Sequence, residues 1–188
     1  MGHSQAEKAI THAKIVAIAS QRFRQKGLEG ISLADIMSEA GLTVGGFYKH
    51  FPTRDALVVD ALQHAFSELD AWEEVAKGDL KAAIRSYLSS AHRDDVIRGC
   101  ALSSLANDVS RAHPDAKVAF ERRLRHILTM LEALIASDSK KSRRRKAIVL
   151  FSACVGALSL SRGVSDDKFS RELLDATVDE LLDLYVPV

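Results

Sequence analysis

Little in this chain interrupts a helix. Three prolines and ten glycines are spread over 188 residues, so long windows lack the two residues that break helices most strongly. No alternating apolar and polar run is long enough to suggest a strand. The two cysteines, Cys100 and Cys154, have no metal-site spacing and make no disulfide framework, which suits a reducing compartment. Paired carboxylates, a metal-ligand cluster, a nucleophile elbow and a phosphate-binding loop are all missing from the pattern. Their absence argues against an enzyme, so no catalytic residue, cofactor or metal ion is expected. A large excess of one charge is also missing. The formal net charge is +1, so any nucleic-acid surface has to be local and non-specific DNA affinity modest. The N-terminus has no apolar core of the signal-peptide kind. Met1-Gly2-His3-Ser4 reads partly as a cloning remnant and is set aside from fold reasoning. The most apolar run, residues 147–160, is interrupted by serines and shorter than the roughly 20 residues a bilayer span needs. No membrane partner is expected.

Nearly half the residues, 47%, are apolar, enough for a sizeable core, and their spacing is helical throughout. The expectation is an all-α protein. A first helix is predicted over residues 5–26, with Ile10, Ala13, Val16, Ala17, Ser20 and Phe23 on one face, ended by Gly27. After Pro52 a long helix is expected over 54–76, capped by Thr53, with Gly78-Asp79 as the next turn and cap. Helices follow over 80–92, from Gly99-Cys100 to His113, and from Pro114 to about residue 136. Arg93-Asp94-Asp95 reads as a loop, and 137–142 as a polar connection. Residues 147–160 are apolar or small on nearly all sides, the mark of a helix buried on several faces. Residues 163–170 read as a loop before the last helix.

The chain is organised around residues 32–51. Ser32 can cap a short helix whose third residue, Asp35, reaches back to the Ser32 amide, an approximate capping box. Leu33, Ile36 and Ala40 share one face. Gly41 stands where a left-handed C-terminal residue is cheap. Leu42 can plug the turn and Thr43 can cap a second short helix, in which Phe47 and Phe51 face the core. This is the pattern of a helix-turn-helix, whose second helix enters the DNA major groove.

From that placement Tyr48 and Lys49 are expected on phosphates, and Thr43 and Val44 near base edges, Val44 able to meet a thymine methyl. His50 is a candidate for either. Gly45 and Gly46 each cost about 1 kcal/mol relative to alanine in a helix. Two readings stay open: bare backbone that approaches the groove closely, or close packing against the preceding helix. Arg54, at the start of the long helix, and Ser32 are further phosphate candidates, with a solvated side chain as the alternative. The basic run Arg143-Arg144-Arg145-Lys146 opposes a helix dipole and reads as a solvated face.

Ile31-Ser32-Leu33-Ala34-Asp35-Ile36, Ala40-Gly41-Leu42-Thr43 and the run from Gly46 through Phe47-Tyr48-Lys49-His50-Phe51-Pro52-Thr53-Arg54-Asp55-Ala56 to Leu57 resemble the DNA-binding signature of the TetR/AcrR family of bacterial transcriptional regulators. The specific match covers about a quarter of the chain. Thr-Val-Gly-Gly-Phe-Tyr, together with Arg98-Gly99-Cys100, is similar to the branch around the repressor of the nem operon. The resemblance implies a three-helix helix-turn-helix domain (residues 5–53) and a helical ligand-binding and dimerisation domain (54–188). It implies an operator on double-stranded DNA, a small-molecule effector, a homodimer and a cytoplasmic location. Met37 departs from the pattern, since a small alanine generally stands there.

Phe66, Trp72, Tyr87, Cys100, Leu105, Val109, Phe120, Leu124 and Leu128 are candidates to line a hydrophobic effector pocket. The dimer is expected through the last two helices, at Val155, Leu158, Leu174, Val178, Leu181, Leu182 and Tyr185, as a four-helix bundle. Cys100, after a glycine at a helix start, offers an alternative: a thiol sensing electrophiles, because helix N-termini lower thiol pKa.

Overall fold

The computed structural model describes residues 5–136 and 139–186. The stretch 1–4 set aside above and residues 137 and 138 of the 137–142 connection lie outside them. Among the described residues the fold is all-α, with eleven helices and no strand. α1 is Gln5–Lys26, α2 Leu33–Glu39, α3 Val44–Phe47, α4 Arg54–Ser67, α5 Asp70–Gly78 and α6 Leu80–Tyr87. α7 is Ser90–Asp94, α8 Ala101–Arg111, α9 Pro114–Leu134, α10 Lys140–Gly163 and α11 Asp167–Tyr185.

α1 has the predicted bounds but a rotated face. Ile10 is 70% exposed and Ala13 is exposed, while Ile15, Val16, Ala19, Ser20, Phe23 and Arg24 are buried. The buried face begins only at Ile15, although His12 already pairs with Asp60 of α4 at 3.3 Å. Gly27 leaves the helix at φ +80°, a conformation that favours glycine.

The long helix expected over 54–76 is two helices. The ladder tightens at its seam, where Leu69 N–H donates to Phe66 O at 3.2 Å, and α5 restarts from Asp70. Glu68, in that seam, ion-pairs with the fully buried Arg24 of α1. The helix over 80–92 also breaks. Ser89 turns extended (φ −84°, ψ 153°), and its hydroxyl accepts from His92 N–H. That starts α7, so Arg93 and Asp94 are helical, not looped, and Ala91 is exposed. The break returns the His92 ring to the end of α6, where Nδ1 meets Tyr87 O at 2.6 Å.

Asp79 caps α6 as expected, accepting from Ala82 N–H at 2.9 Å. Pro114 takes the first position of α9. α10 is longer than the apolar run that identified it and includes Gly163, and α11 begins at Asp167, so only 164–166 connect them. At 24 residues α10 has the length and composition to cross a membrane. Its residues Ala147, Leu150, Phe151, Cys154, Ala157 and Leu158 are instead buried in the core formed with α8, α9 and α11.

One contiguous buried cluster runs from Ile15 in α1 to Leu182 in α11. The helix-turn-helix end and the body therefore share a core across α1, α4 and α8. Two polar links reinforce that seam: Arg24 donates to Gly99 O at 3.3 Å, and Leu28 N–H to Asp108 Oδ1 at 3.3 Å.

Candidate nucleic-acid interface

The turn between α2 and α3 is built as its residues suggest. Asp35 N–H donates to Ser32 Oγ at 3.1 Å, and the Asp35 carboxylate accepts from the Ser32 hydroxyl at 2.7 Å and its amide at 3.4 Å. Those bonds hold the Asp35 carboxyl below its ordinary range. They also occupy the donors that Ser32 was expected to offer a phosphate. Gly41 takes φ +75°, and Leu42 N–H closes the turn on Met37 O at 2.9 Å. Met37 is fully buried beneath it. Lys14 of α1 donates to Ala40 O at 2.8 Å, at the negative end of α2. Arg22 grips Glu39 with two 2.8 Å bonds. These two α1 cations escaped the sequence reading, because nothing in their own helix points to a partner about one helix away.

Thr43 is the N-cap residue of α3, but its side chain makes no capping bond, contrary to expectation. Regular α-helix covers only Val44–Phe47, with turns continuing to Phe51, whose amide donates to Phe47 O at 3.0 Å. Phe47 and Phe51 are buried (0% and 1% exposed) and stack at 5.3 Å. Burying one such ring is worth roughly 1.5–3 kcal/mol, enough to seat a helix this short. Opposite them Thr43, Val44 and Gly45 are exposed, with Tyr48 (68%) and Lys49. A Cβ built on Gly45 meets nothing within 4 Å, and one on Gly46 meets only the Thr43 hydroxyl at 3.8 Å. The packing reading of the two glycines fails, since the space in front of them is open.

His50 and Arg54 are placed differently from the expectation. The His50 ring is half-buried between α1 and α3, 6.4 Å from His12, and its Nδ1 is buried without a partner. Burial foremost, with His12, Lys8 and Lys49 nearby, holds its pKa below the usual histidine value. It therefore adds little positive charge at neutral pH. The Arg54 guanidinium bonds Leu28 O, pairs with Glu29 at 3.1 Å and lies over the Phe23 ring at 5.7 Å. It fastens α4 to the connection after α1. Lys49 is left as the main charge on this face.

The expected effector lining is mostly solid core. Phe66, Tyr87, Cys100, Leu105, Val109 and Leu128 are all under 9% exposed, and Trp72, Phe120 and Leu124 pack partly buried against them. Trp72 donates to Ala83 O at 3.0 Å and meets Tyr87 edge-on at 5.5 Å. Cys100 does not have the lowered pKa its position suggested. Burial raises it, and this outweighs the nearby Tyr87 hydroxyl, the α8 amides and the Arg162 charge, which all act the other way. Cys154 is pushed up to about 12, chiefly by burial. Around Cys100 lies a cluster that no motif announced. His92 Nε2 accepts from Cys100 N–H at 3.0 Å. Arg162 of α10 donates to His92 O at 2.8 Å and Arg93 O at 2.9 Å. A side chain at Gly99 would collide with the backbone oxygen of Asp95 at 2.7 Å as well as with the Arg162 guanidinium, which explains that glycine.

The expected dimer residues divide. Leu158, Leu174, Leu181 and Leu182 are core within one chain, at 9% exposure or less. Two packed helices cover each other, so the most apolar positions point inward. Val155, Val178 and Tyr185 remain partly exposed.

A short helix, a glycine turn and an exposed second helix, mounted on a helical body, define a helix-turn-helix protein of the transcription-regulating class. Residues 15–61, the stretch that holds the helix-turn-helix, match the model of bacterial regulatory proteins, tetR family. The HTH-type transcriptional regulator CymR of Pseudomonas putida is 33% identical over 67 residues, which are 35% of this chain and 33% of CymR. The HTH-type transcriptional repressor NemR of Escherichia coli K12 is 22% identical over 129 residues, 64% of this chain and 65% of NemR. The chain thus aligns with a third of one relative's length and just under two thirds of the other's. The crystal structure of reduced E. coli NemR has the same fold, with a TM-score of 0.74 at 19% identity over 93% of this chain and 96% of that one. A TetR-family regulator from Cytophaga hutchinsonii superposes with a TM-score of 0.78 at 17% identity, over 99% and 100%.

Proposed function

We propose that this transcriptional regulator is a ligand-responsive repressor that binds a palindromic operator as a homodimer and is released by a small effector. In this reading residues 5–53 bind DNA, and residues 54–188 bind the effector and dimerise. The observation that carries it is the bare face of α3: Thr43, Val44 and Gly45 exposed, open space over both glycines, and two phenylalanines anchoring the opposite side. Backbone without side chains can approach a groove wall closely, leaving Tyr48 and Lys49 to position phosphates and Val44 to meet bases. With Lys49 as the main local charge, one copy binds weakly, so two copies about 34–36 Å apart are needed.

Support for the homodimer comes from exposed apolar side chains. Ile148, Val149 and Leu160 of α10 and Phe169 and Leu184 of α11 are each 43–62% exposed. They lie at both ends of a helix pair, with Val155, Val178 and Tyr185 partly exposed between or beside them. An apolar face of this kind favours association with its own copy. Repression of bacterial genes places the protein in the cytoplasm. The thiol-switch alternative at Cys100 is disfavoured, because its sulfur is buried and its pKa raised.

The test is an electrophoretic shift with the intergenic DNA upstream of its own and neighbouring genes, followed by footprinting. The expected result is a protected palindrome with half-sites one helical turn apart, bound by a dimer. Absence of binding to any such fragment at low salt overturns the reading.

A further inference from the structure

A recess of about 310 Å³ opens between α4–α5 and α9, bordered by Phe66, Ser67 and Asp70 on one side and Arg122, Arg123 and His126 on the other. Of the expected effector lining, only Phe66 reaches it. Beneath it the buried Glu73 and the largely buried Arg123 form a charge cluster with the more exposed Asp70 and His126. Glu73, 4% exposed, lies 2.5 Å from Arg123 Nη2 and 2.9 Å from His126 Nε2, while Arg123 Nη1 pairs with Asp70 at 3.0 Å. The two carboxylates thus offset Arg123, whose buried Nε has no partner and whose Nη2 meets Glu73 as an ion pair without hydrogen-bond geometry. Arg122, exposed on the rim, has no acidic partner among the described residues. The remaining lining is Ala119 and Gln63, with the Phe66 ring held edge-on by Phe120 at 6.3 Å.

An uncompensated guanidinium beside an aromatic wall suits one ligand chemistry. We propose that this recess is the effector site and takes a small organic monocarboxylate, its carboxylate on Arg122 and its apolar body against Phe66. A guanidinium offers a carboxylate two parallel donors, and the volume fits a ligand of about ten heavy atoms, near the lower end of small-molecule sites. A dianion or a bare phosphate fits less well, because Asp70 and Glu73 stand close by and repel a second negative charge.

The position of the recess supplies the link to DNA, and here the proposal rests on the repressor reading. Ser67 and Asp70 flank the seam between α4 and α5, and Glu68 in that seam pairs with buried Arg24 of α1. A ligand bridging α9 to this seam binds one bend of α4–α5 better than another. Its differential affinity is what α1, and with it the helix-turn-helix, would register.

The full chain is titrated with benzoate, phenylacetate, hexanoate and octanoate. Benzamide and inorganic phosphate serve as controls. Emission of the single tryptophan, Trp72, two residues from Asp70 in α5, and calorimetry report binding, and anisotropy reports operator affinity. At least one carboxylate is expected to bind saturably, at least tenfold tighter than benzamide or phosphate, and to weaken operator binding. Arg122→Gln is expected to lose that binding at least tenfold, with unchanged thermal melting and unchanged ligand-free operator affinity. Failure of all four carboxylates, equal binding of phosphate, or full retention by Arg122→Gln overturns the proposal. Carboxylate binding with no effect on operator affinity overturns the effector role. Each of these is read while ligand-free operator binding is intact. Loss of operator binding without ligand indicts the repressor reading instead.

Discussion

Replacing Gly45 and Gly46 with alanine separates folding from function, because the two effects have opposite sign. Both glycines have ordinary negative-φ backbone, the positive-φ glycines among the described residues being Gly27 and Gly41. A Cβ at Gly45 meets nothing, and one at Gly46 makes ordinary contact with Thr43 at 3.8 Å. Nothing in the fold resists the change. Each substitution removes a helix penalty of about 0.5–1 kcal/mol, so the double variant gains about 1–2 kcal/mol. At 2–4 °C per kcal/mol for a chain of this size, the melting midpoint rises by roughly 2–8 °C. On DNA the added methyl groups hold the α3 backbone off the groove wall. Losing one good contact costs about 1–3 kcal/mol, a drop of about tenfold or more in affinity for each variant. Circular dichroism melts give the first number. Fluorescence anisotropy on the operator at one fixed salt concentration gives the second. A variant that gains stability and keeps operator affinity within about twofold refutes the argument that these glycines exist for close approach.

Further expectations concern the seams and faces. Arg24→Met removes the donor to Glu68 and Gly99 O from a fully buried position; urea unfolding should register a loss of about 2–4 kcal/mol, and less than 1 kcal/mol would mean the link is incidental. Burial is the main cause holding the His92 pKa below the ordinary value, and Arg162 adds to it, against Tyr87 O and Asp95. The unfolded chain then binds the extra proton first, so this stabilisation is complete above about pH 6.5 and is lost as pH falls through the folded value. Stability measured from pH 7.5 to 5 should fall more steeply for the native chain than for His92→Gln, and parallel curves would refute the assignment. Leu160→Glu with Leu184→Glu should give a folded monomer by light scattering and circular dichroism, whereas Leu174→Asp, at a 1% exposed core position, should unfold the chain. Iodoacetamide should label Cys100 slowly in the native protein and rapidly only in denaturant, since burial raises its pKa; fast native labelling would revive the thiol switch.

The helix-turn-helix was legible in the sequence because its signals are local. A cap reaching three residues, a glycine forced to positive φ and two phenylalanines four apart are decided within one or two turns of chain, and each is found as read. Periodicity likewise determined the all-α class and most apolar faces. What local signals could not carry was competition between distant groups. The seams at Glu68 and Ser89 depend on Arg24 and His92 finding partners that are far away in sequence or set by the break itself. Arg54 and His50 have the chemistry for DNA, but packing against α1 and the 28–29 connection claims them first. The thiol of Cys100 shows the same rule in electrostatic form: a helix start lowers a pKa locally, and burial by the whole fold reverses it. The last two helices carry the point furthest. Their sequence marks Leu174 and Leu181 as apolar, and only tertiary packing decides that these face their own chain while Leu160 and Leu184 face outward. The sequence by itself determined which surfaces seek burial, and the tertiary structure decided against what, because every buried partner is a single place that several side chains compete to fill.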